Sequence, residues 1–349
     1  MKSYAQFFAA LFLSTAFTAH GREWIGERGV KFVADYVSCD GTNVTMTSPN
    51  PARPGAPARY VYPLARLSAA DREFVAAEMQ KAAAAIRKGL ILDFPVKPWH
   101  PVTTDYFKQP HAKKIFDSFD KGKSPNTWKQ NVGTGKEQFE YDGASAQTIV
   151  YVPPTYDGLK PFGVYVHISP GDGGDKGAAY QSIMDRLNLI YISPKGTSND
   201  RPMLRRVHLA VDALESVRKE WKLDPKRCVV GGLSGGGHMA MLSQATFPEL
   251  FIGAVSHAAQ SYLPSFPPAY YNCGHFPGLL GTDFTTGALK GRKWVVVSGD
   301  KDKNYQEILT TTKQWEAHKL AYRFINVSGM AHSNAQPEQF EEALKWLGL

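Results

Sequence analysis

Short apolar runs separated by turn residues characterise residues 22–67. Two runs rich in β-branched residues, at 31–38 and 43–47, are typical of strands, and the dipeptide Asp40-Gly41 between them is typical of a tight turn. A loop rich in Pro, Ala and Gly follows, and then a third, aromatic run at 58–63. We expect this part of the chain to form a small β-rich unit.

A helical pattern and a proline-rich stretch come next. Ser68 stands in an N-cap position with Asp71 at the third helical position, which predicts a helix running to about residue 88. Prolines then exclude regular structure over residues 93–111: Pro95, Pro98, Pro101 and Pro110. The same stretch carries aromatic side chains: Phe94, Trp99, Tyr106 and Phe107. So many aromatics favour a strap lying on the next domain over a free linker.

From residue 141 onward, apolar strand patterns alternate with helical ones. Strands are predicted at residues 146–152, 161–168, 189–193, 228–230, 293–298 and 322–327, and helices at 178–187, 201–221 and 238–246. The helix at 201–221 is amphipathic, with one apolar face: Leu204, Val207, Ala210, Val211, Leu214, Val217 and Trp221. Repeated alternation with apolar strands predicts an α/β fold with a mostly parallel sheet covered by helices on both faces.

The first residues have the pattern of a signal peptide. Lys2 precedes an apolar run at residues 5–17, and Ala19-His20-Gly21 is a small-x-small cleavage site. The run is short for a membrane span, which argues against stable membrane insertion; a retained N-terminal anchor is the alternative. We therefore expect an exported protein, secreted or periplasmic, divided into a signal peptide (1–21), a β module (22–67), a helix with a Pro-rich strap or linker (68–140) and an α/β domain (141–349).

Composition narrows the class of protein. With 43% hydrophobic and 21% charged residues among 349, the chain is globular. The net charge of +8 is diffuse, and no Arg-rich helix or aromatic and basic interleaving indicates a nucleic-acid partner. No Cys/His cluster has zinc spacing, and Gly171-Asp-Gly-Gly174 lacks the Lys-Ser/Thr of a phosphate loop, so we expect no metal and no cofactor. Of the three cysteines, Cys39 and Cys273 could pair, and Cys228 is expected to be a buried apolar residue.

One stretch carries the signal for chemistry. A short apolar run at 228–230 breaks at Gly232-Leu-Ser234-Gly-Gly236 and continues as a helical pattern. A G-x-S-x-G motif between a strand and a helix is typical of a nucleophile elbow, in which the positions two residues from the serine must lack a Cβ. By itself the motif is also compatible with a Gly-rich loop after a strand. A catalytic role for Ser234 therefore requires further catalytic side chains elsewhere in the sequence.

Those partners follow later strands. A serine hydroxyl is a poor nucleophile at neutral pH, so it needs a base, and the base needs an orienting acid. Asp300 and Asp302 follow the strand at 293–298, and His332 follows the strand at 322–327. The chain order Ser, Asp, His with both partners past strand ends fits a nucleophile elbow. Spacing alone leaves Asp300 as the second candidate for the acid.

Residues 145–349 resemble the α/β-hydrolase superfamily. The pattern Asp224-Pro-x-Arg227-x4-Gly232-x-Ser234-x-Gly236-Gly237 and the continuation from Phe247 to Val255 resemble its exported esterase and polyhydroxyalkanoate-depolymerase-like branch. The resemblance implies a doubly wound α/β-hydrolase catalytic domain. It also selects Asp302, three residues past the strand-terminal Gly299, as the acid.

The oxyanion hole needs backbone N–H donors. Gly235 supplies one by its position after Ser234. The other is expected from the loop after the strand at 161–168. Many relatives have His-Gly there, but this chain has Ser169-Pro-Gly171, and Pro170 has no N–H, so Ser169 or Gly171 must donate.

A second resemblance concerns the N-terminal module. The positions Arg22, Trp24, Gly29, Ala34, Val44 and those from Pro63 to Asp71 resemble SH3-like modules of the SHD1 type found in adaptor proteins. Such modules bind partners or serve as spacers. We therefore consider contact with a protein or a surface through this module.

The expected function is that of an exported serine hydrolase that cleaves a small-molecule or polymer-linked carboxylic ester through an acyl-enzyme. Two alternatives stay open: a serine peptidase on the same fold, and a catalytically silent hydrolase fold used for binding. His257 and His275 either line the pocket or are ordinary loop histidines. A group of aromatics either binds a sugar or phenolic ring or packs in a lid: Tyr262, Phe266, Tyr270 and Tyr271.

Overall fold

The computed structural model describes residues 21–49, 57–97, 110, 141–259 and 289–349. The signal-peptide pattern, most of the Pro-rich stretch, and the segment with Tyr262 to Tyr271, Cys273 and His275 lie outside these residues. In the described part of the chain, no helix has the length and hydropathy needed to cross a membrane. The chain divides into two compact units, one reaching to Arg87 and including Tyr156–Lys160, the other formed by Lys88–Thr155 and Pro161–Leu349.

The first unit is an antiparallel sheet with one helix. Its four strands are β1 (Arg22–Ile25), β2 (Lys31–Cys39), β3 (Asn43–Ser48) and β4 (Ala58–Pro63), and its helix is α1 (Ala69–Ala85). The strands pair in chain order, each antiparallel to the next. A small set of apolar side chains forms the core: Trp24, Ala34, Cys39, Val44, Met46, Leu67 and Val75. The β-rich unit predicted from residues 22–67 is therefore present as a separate small sheet.

Helix α1 begins at its predicted cap. The Ser68 hydroxyl accepts a hydrogen bond from the Asp71 N–H at 3.1 Å, as the N-cap pattern requires. The buried Asp71 carboxylate in turn accepts bonds from the Arg22 guanidinium and the Ile25 N–H, each at 2.8 Å, so it ties the helix start to β1. The helix ends at Ala85, three residues before the predicted end. The SH3-like character of this unit and its contact with a partner stay predictions.

The second unit is built on a larger sheet. Its strands are β5 (Gly89–Pro95), β6 (Gln147–Val152), β7 (Phe162–Ile168), β8 (Leu189–Pro194), β9 (Leu223–Leu233), β10 (Gly253–His257), β11 (Lys293–Ser298) and β12 (Ala321–Asn326). Its helices are α2 (Gln181–Leu187), α3 (Met203–Glu220), α4 (Gly235–Thr246), α5 (Tyr305–Ala317) and α6 (Pro337–Leu347). The strand order is β12-β11-β10-β9-β7-β8-β6-β5.

Strand direction gives the unit its class. Strands β7 to β12 pair in parallel, whereas β6 runs antiparallel to both β8 and β5. This order, with the second strand reversed, is that of an α/β-hydrolase fold, so the predicted fold class is confirmed. Helices lie on both faces, because on β11 Val295 packs in the cluster that contains Phe340 of α6, whereas Trp294 bonds to Gln244 of α4 at 2.7 Å.

Strand β5 is absent from the elements predicted from the sequence. Residues 89–95 pair with β6 at the edge of the sheet, so regular structure continues to Pro95 and overlaps the stretch predicted to lack it. Proline is tolerated at the end of an edge strand, where its missing N–H breaks no ladder bond. Phe94, within β5, is buried and packs on Trp221 with ring centroids 5.2 Å apart, and the strap over residues 93–140 stays a prediction. The other strap aromatics lie outside the described residues.

Two of the three cysteines are described, and both are buried, free thiols. Cys228 is fully buried in β9, as expected of a small apolar residue. Burial raises the pKa of its thiol to about 11, so at neutral pH it is protonated. Cys273, the residue with which Cys39 could pair, lies outside the described residues.

Candidate active site

The sheet changes winding direction at β7. Strand β8, which follows β7 in the chain, pairs on one side of it, and β9 pairs on the other. At such a switch point the connections leave the carboxyl ends of the two neighbouring strands in opposite directions, and ligands bind in the crevice between them. Ser169 follows β7 there, and Ser234 follows β9.

Ser234 occupies a strained turn. Its φ of 53° and ψ of −124° lie outside the regions that residues with a side chain ordinarily adopt. The turn is held because the Ser234 N–H donates to the His257 carbonyl at 2.9 Å and the Ser234 carbonyl accepts from the His238 N–H at 3.2 Å. Helix α4 begins at the next residue, so the serine lies at the positive end of a helix dipole and is partly exposed.

The two flanking glycines are required by the Ile168 carbonyl. A Cβ on Gly236 would lie 1.9 Å from Ile168 O, and one on Gly232 would lie 2.4 Å from the same atom. The obstacle is backbone, which cannot rotate away as a flexible side chain can. The spacing of the glycines around Ser234 thus follows from the close approach of the end of β7 to the first turn of α4.

Asp302 and His332 form a direct pair. His332 Nδ1 lies 2.7 Å from Asp302 Oδ1, and the Asp302 side chain is fully buried whereas 23% of the His332 side chain is exposed. The carboxylate also accepts bonds from the Ser298 hydroxyl at 2.6 Å and the Asn304 N–H at 3.0 Å. An ionised carboxylate only accepts, so the Nδ1 of His332 carries the proton and its Nε2 is left as the basic nitrogen.

Asp300 lies elsewhere in the same loop. Its carboxylate is exposed and accepts the Gly329 N–H at 2.5 Å, within the turn that leads to His332. A bridge between Lys301 and Ala331 continues the pairing of β11 and β12 into these two loops. Asp300 therefore supports the backbone of the histidine turn, and the ring contact belongs to Asp302.

The structure brings Ser234, Asp302 and His332 to the carboxyl edge of one sheet. Ser234 follows β9, and the other two follow β11 and β12. Among the described residues, no hydrogen bond joins Ser234 Oγ to His332. In proteins without substrate, such bonds are often long and shorten only when substrate binds.

Two of the three candidate oxyanion donors, Gly235 and Ser169, lie close to the serine turn. Gly235 is the first residue of α4, and the N–H groups of a first turn have no acceptor within the helix. A Cβ on Gly236 would also lie 3.4 Å from the Ser169 carbonyl carbon, which shows that the loop after β7 packs on the start of α4. The Gly171 N–H donates to the Ser169 hydroxyl at 3.1 Å. The Gly171 N–H is thus already engaged in a hydrogen bond.

Several residues near the site were not predicted. The Asn199 amide oxygen accepts from the buried Arg206 at 3.2 Å and lies where a Cβ on Gly235 would come within 2.0 Å of it. Ser298 and Asn304 bind the Asp302 carboxylate. Ser298 ends a strand directly before the acid loop, a signal that could have been used; Asn199 sits in a loop whose place beside Gly235 only the fold reveals.

Two buried histidines flank the serine turn. His238 lies on α4, and burial, followed by the positive charge of Arg206, lowers its pKa to about 3. His257 is the last residue of β10 and is fully buried, so it is neither a pocket-lining nor a loop residue. Burial lowers the pKa of His257 to about 3. The described residues contain no group of His, Cys, Asp and Glu placed to hold a metal ion.

Comparison with known proteins gives only distant similarity. No family model matches the chain, and neither does any curated protein. The chain is similar to S-formylglutathione hydrolase FrmB from Staphylococcus aureus, with 16% identity over 58% of this chain and 92% of that one and a TM-score of 0.42.

Two further solved structures show similarity at the same level. One is a ferulic acid esterase, with 16% identity over 58% of this chain and 89% of that one and a TM-score of 0.44. The other is a putative dipeptidyl aminopeptidase IV from Bacteroides ovatus, with 18% identity over 61% of this chain but 35% of that one and a TM-score of 0.44. At this distance, the similarity does not identify a reaction.

Gly236→Ala tests the steric basis of the turn. The new Cβ would lie 1.9 Å from Ile168 O, so β7 or α4 must move, and we expect the free energy of unfolding to fall by roughly 1–3 kcal/mol. Gly173→Ala is the control, because its Cβ would meet nothing within 4 Å. Urea denaturation of both variants measures the difference. Equal stability of the two variants would contradict the steric argument.

Proposed function

We propose that this chain is a serine hydrolase that cleaves a carboxylic ester through an acyl-enzyme, with Ser234 as nucleophile, His332 as general base and Asp302 as the orienting acid. The observation that carries the proposal is a strained serine turn beside a buried carboxylate that contacts a histidine at 2.7 Å, all at one edge of the sheet. A binding protein would need none of these three features.

The geometry supports a two-step reaction. Ser234 Oγ attacks the ester carbonyl carbon while His332 Nε2 takes the hydroxyl proton, and the resulting imidazolium is stabilised by Asp302. Collapse of the tetrahedral intermediate breaks the bond to the alcohol oxygen, which leaves with the proton from Nε2. Water, deprotonated by the same nitrogen, then attacks the acyl group and regenerates Ser234.

The negative charge of the intermediate needs backbone donors. We assign the Gly235 N–H as one donor, because it begins α4 directly after the nucleophile. For the second we place Ser169 before Gly171, since the Gly171 N–H is already donated to the Ser169 hydroxyl. The substrate we propose is a small-molecule or polymer-linked ester. The acyl and alcohol groups are left to a panel of acetyl, feruloyl and aliphatic nitrophenyl esters.

We also propose that the protein is exported and that residues 1–21 are removed. Strand β1 begins at Arg22, directly after the small-x-small pattern, so cleavage there leaves the strand and its Arg22 to Asp71 ion pair complete. Mass spectrometry of the protein recovered outside the cytoplasm should give an N-terminus near Arg22. An N-terminus at Met1 in that fraction would contradict removal of the leader.

Ser234→Ala tests the nucleophile. We expect ester turnover to fall by several orders of magnitude with an unchanged thermal melt, because only the attacking oxygen is removed. A fluorophosphonate probe should label the natural protein at Ser234 and leave the variant unlabelled. Turnover of a peptide but of no ester by the natural protein would indicate a peptidase, and absence of both activities and of labelling would indicate a binding protein.

Asp302→Asn and Asp300→Asn form a matched pair for the acid. Asp302→Asn should lower kcat by about 10³–10⁴-fold, because the amide cannot hold the Nδ1–H tautomer of His332. Asp300→Asn keeps an acceptor oxygen for the Gly329 N–H and should change kcat little. Steady-state kinetics on one soluble ester decides between them, and the reverse ranking would move the orienting role to Asp300.

A further inference from the structure

The residue His257 is bonded to both turns of the candidate site. Its main-chain carbonyl accepts the N–H of Ser234 at 2.9 Å, and its ring Nδ1 accepts the N–H of Ala335 at 2.9 Å. Ala335 lies three residues past His332 in the same turn. A single residue of β10 therefore contacts the backbone of the nucleophile turn through its main chain and that of the base turn through its side chain.

Ala335 is held through both of its backbone groups. Its N–H is donated to His257, and its carbonyl accepts the Tyr180 hydroxyl at 2.6 Å. The rings of Tyr180 and His257 are stacked, with centroids 6.2 Å apart, and both pack on Phe340 of α6. The turn that presents His332 is therefore anchored to buried rings under the sheet edge.

The ring of His257 is itself oriented by buried neighbours. Because Nδ1 accepts from Ala335 and the lowered pKa keeps the ring neutral, the proton is on Nε2, which lies 3.2 Å from the Tyr165 hydroxyl. The Tyr165 hydroxyl oxygen also lies 3.4 Å from His167 Nδ1. Burial lowers the pKa of His167 to about 4. We call His257, Tyr165, His167 and Tyr180 the His257 network.

The far end of the network returns to the base turn. His167 Nε2 lies 3.7 Å from Asp175 Oδ2, which is longer than a hydrogen bond. The same carboxylate oxygen accepts the side-chain amide of Asn334 at 3.3 Å, one residue before Ala335. The base turn is thus bonded to the network at Ala335, and at Asn334 to the Asp175 carboxylate that lies beside the network.

We propose that His257 is a positioning residue that sets the placement of His332 relative to Ser234. The proposal rests on the proposed function, in which these two residues exchange a proton. Its ring never touches substrate; it acts by fixing the Ala335 backbone. Loss of this bond should misplace the His332 ring and lower the rate of the chemical step, because displacement of a reacting group by about 1 Å can cost about 10²-fold in rate.

Two substitutions at His257 separate positioning from packing. His257→Leu fills the buried site with an apolar side chain and removes the acceptor for the Ala335 N–H. His257→Asn restores an acceptor oxygen close to where Nδ1 lies. We expect kcat on a soluble ester to fall about 10²-fold in the Leu variant, with KM within about twofold, and to recover at least about tenfold in the Asn variant. Natural kcat in the Leu variant, or equal losses in both, would overturn the proposal.

A second pair of variants tests the positioning role of His257 if His257→Leu does not fold. Tyr165→Phe removes the hydroxyl that orients His257, whereas Tyr151→Phe removes a hydroxyl that donates to Asp185 at 2.8 Å outside the network. Both remove one tyrosine hydroxyl from the same unit. A fall in kcat for Tyr165→Phe, with natural kcat for Tyr151→Phe, supports positioning. If both variants lose kcat equally, in proportion to their loss of thermal stability, the proposal is overturned.

A measurement independent of activity separates this proposal from the proposed function. Nitrogen NMR of the histidine rings in the natural protein should show His257 with an unprotonated Nδ1, and the Ala335 amide should exchange at least about tenfold faster in His257→Leu, or in Tyr165→Phe if the Leu variant does not fold. If the natural protein cleaves no ester and is not labelled at Ser234, the proposed function fails. Hydrogen exchange of the Ala335 amide then tests separately whether His257 holds the base turn. An unchanged exchange rate in the variant would overturn the positioning role.

Discussion

The approach of the Ile168 carbonyl to the first turn of α4 is the contact on which the second unit depends. It leaves no space for a Cβ at Gly232 or Gly236, so the chain between them must turn sharply and Ser234 must take up its strained backbone. The strain persists because bonds from His257 and His238 determine the turn from both sides. The same contact brings the loop after β7 next to the residue that follows the serine. One contact therefore determines both the packing of β7 against α4 and the backbone conformation of the candidate nucleophile.

The buried polar groups of this unit serve to hold loops. Asp302 receives bonds from a strand end and a loop as well as from His332, and His257 receives a backbone N–H from the base turn. A buried acceptor left without a donor costs about 1–3 kcal/mol, which makes each loop conformation without these bonds unfavourable. The buried acceptors beneath the candidate site therefore keep its loops in place, because moving a loop would leave an acceptor without its hydrogen bond.

Local signals in the sequence predicted much of this arrangement. The glycines around Ser234 and the apolar runs that end before Asp302 and His332 are patterns of only a few residues. They were therefore enough to predict the strands and the chain order of the three site residues. Strand β5 was missed because its apolar run, Leu90 to Leu92, is only three residues long and the strand ends in Pro95, the first of several prolines. The role of His257 was missed for another reason: only the alignment of β10 with β9 brings its carbonyl to Ser234, and only the return of the chain after β12 brings Ala335 to its ring. Relations of that kind are set by tertiary structure.

The wide separation of the site residues along the chain has a consequence for how the molecule matures. Ser234, Asp302 and His332 lie on loops after three different strands, and α6, whose Phe340 packs under His257, is formed by nearly the last residues of the chain. Parallel strands joined through helices form their contacts late, since distant segments must meet before any contact is made. A chain synthesised only as far as β12 already holds the serine turn but lacks α6, whose Phe340 packs on His257 beneath the base turn. Formation of the strained serine turn and fixing of the base turn are therefore separate events in folding, and the second requires α6.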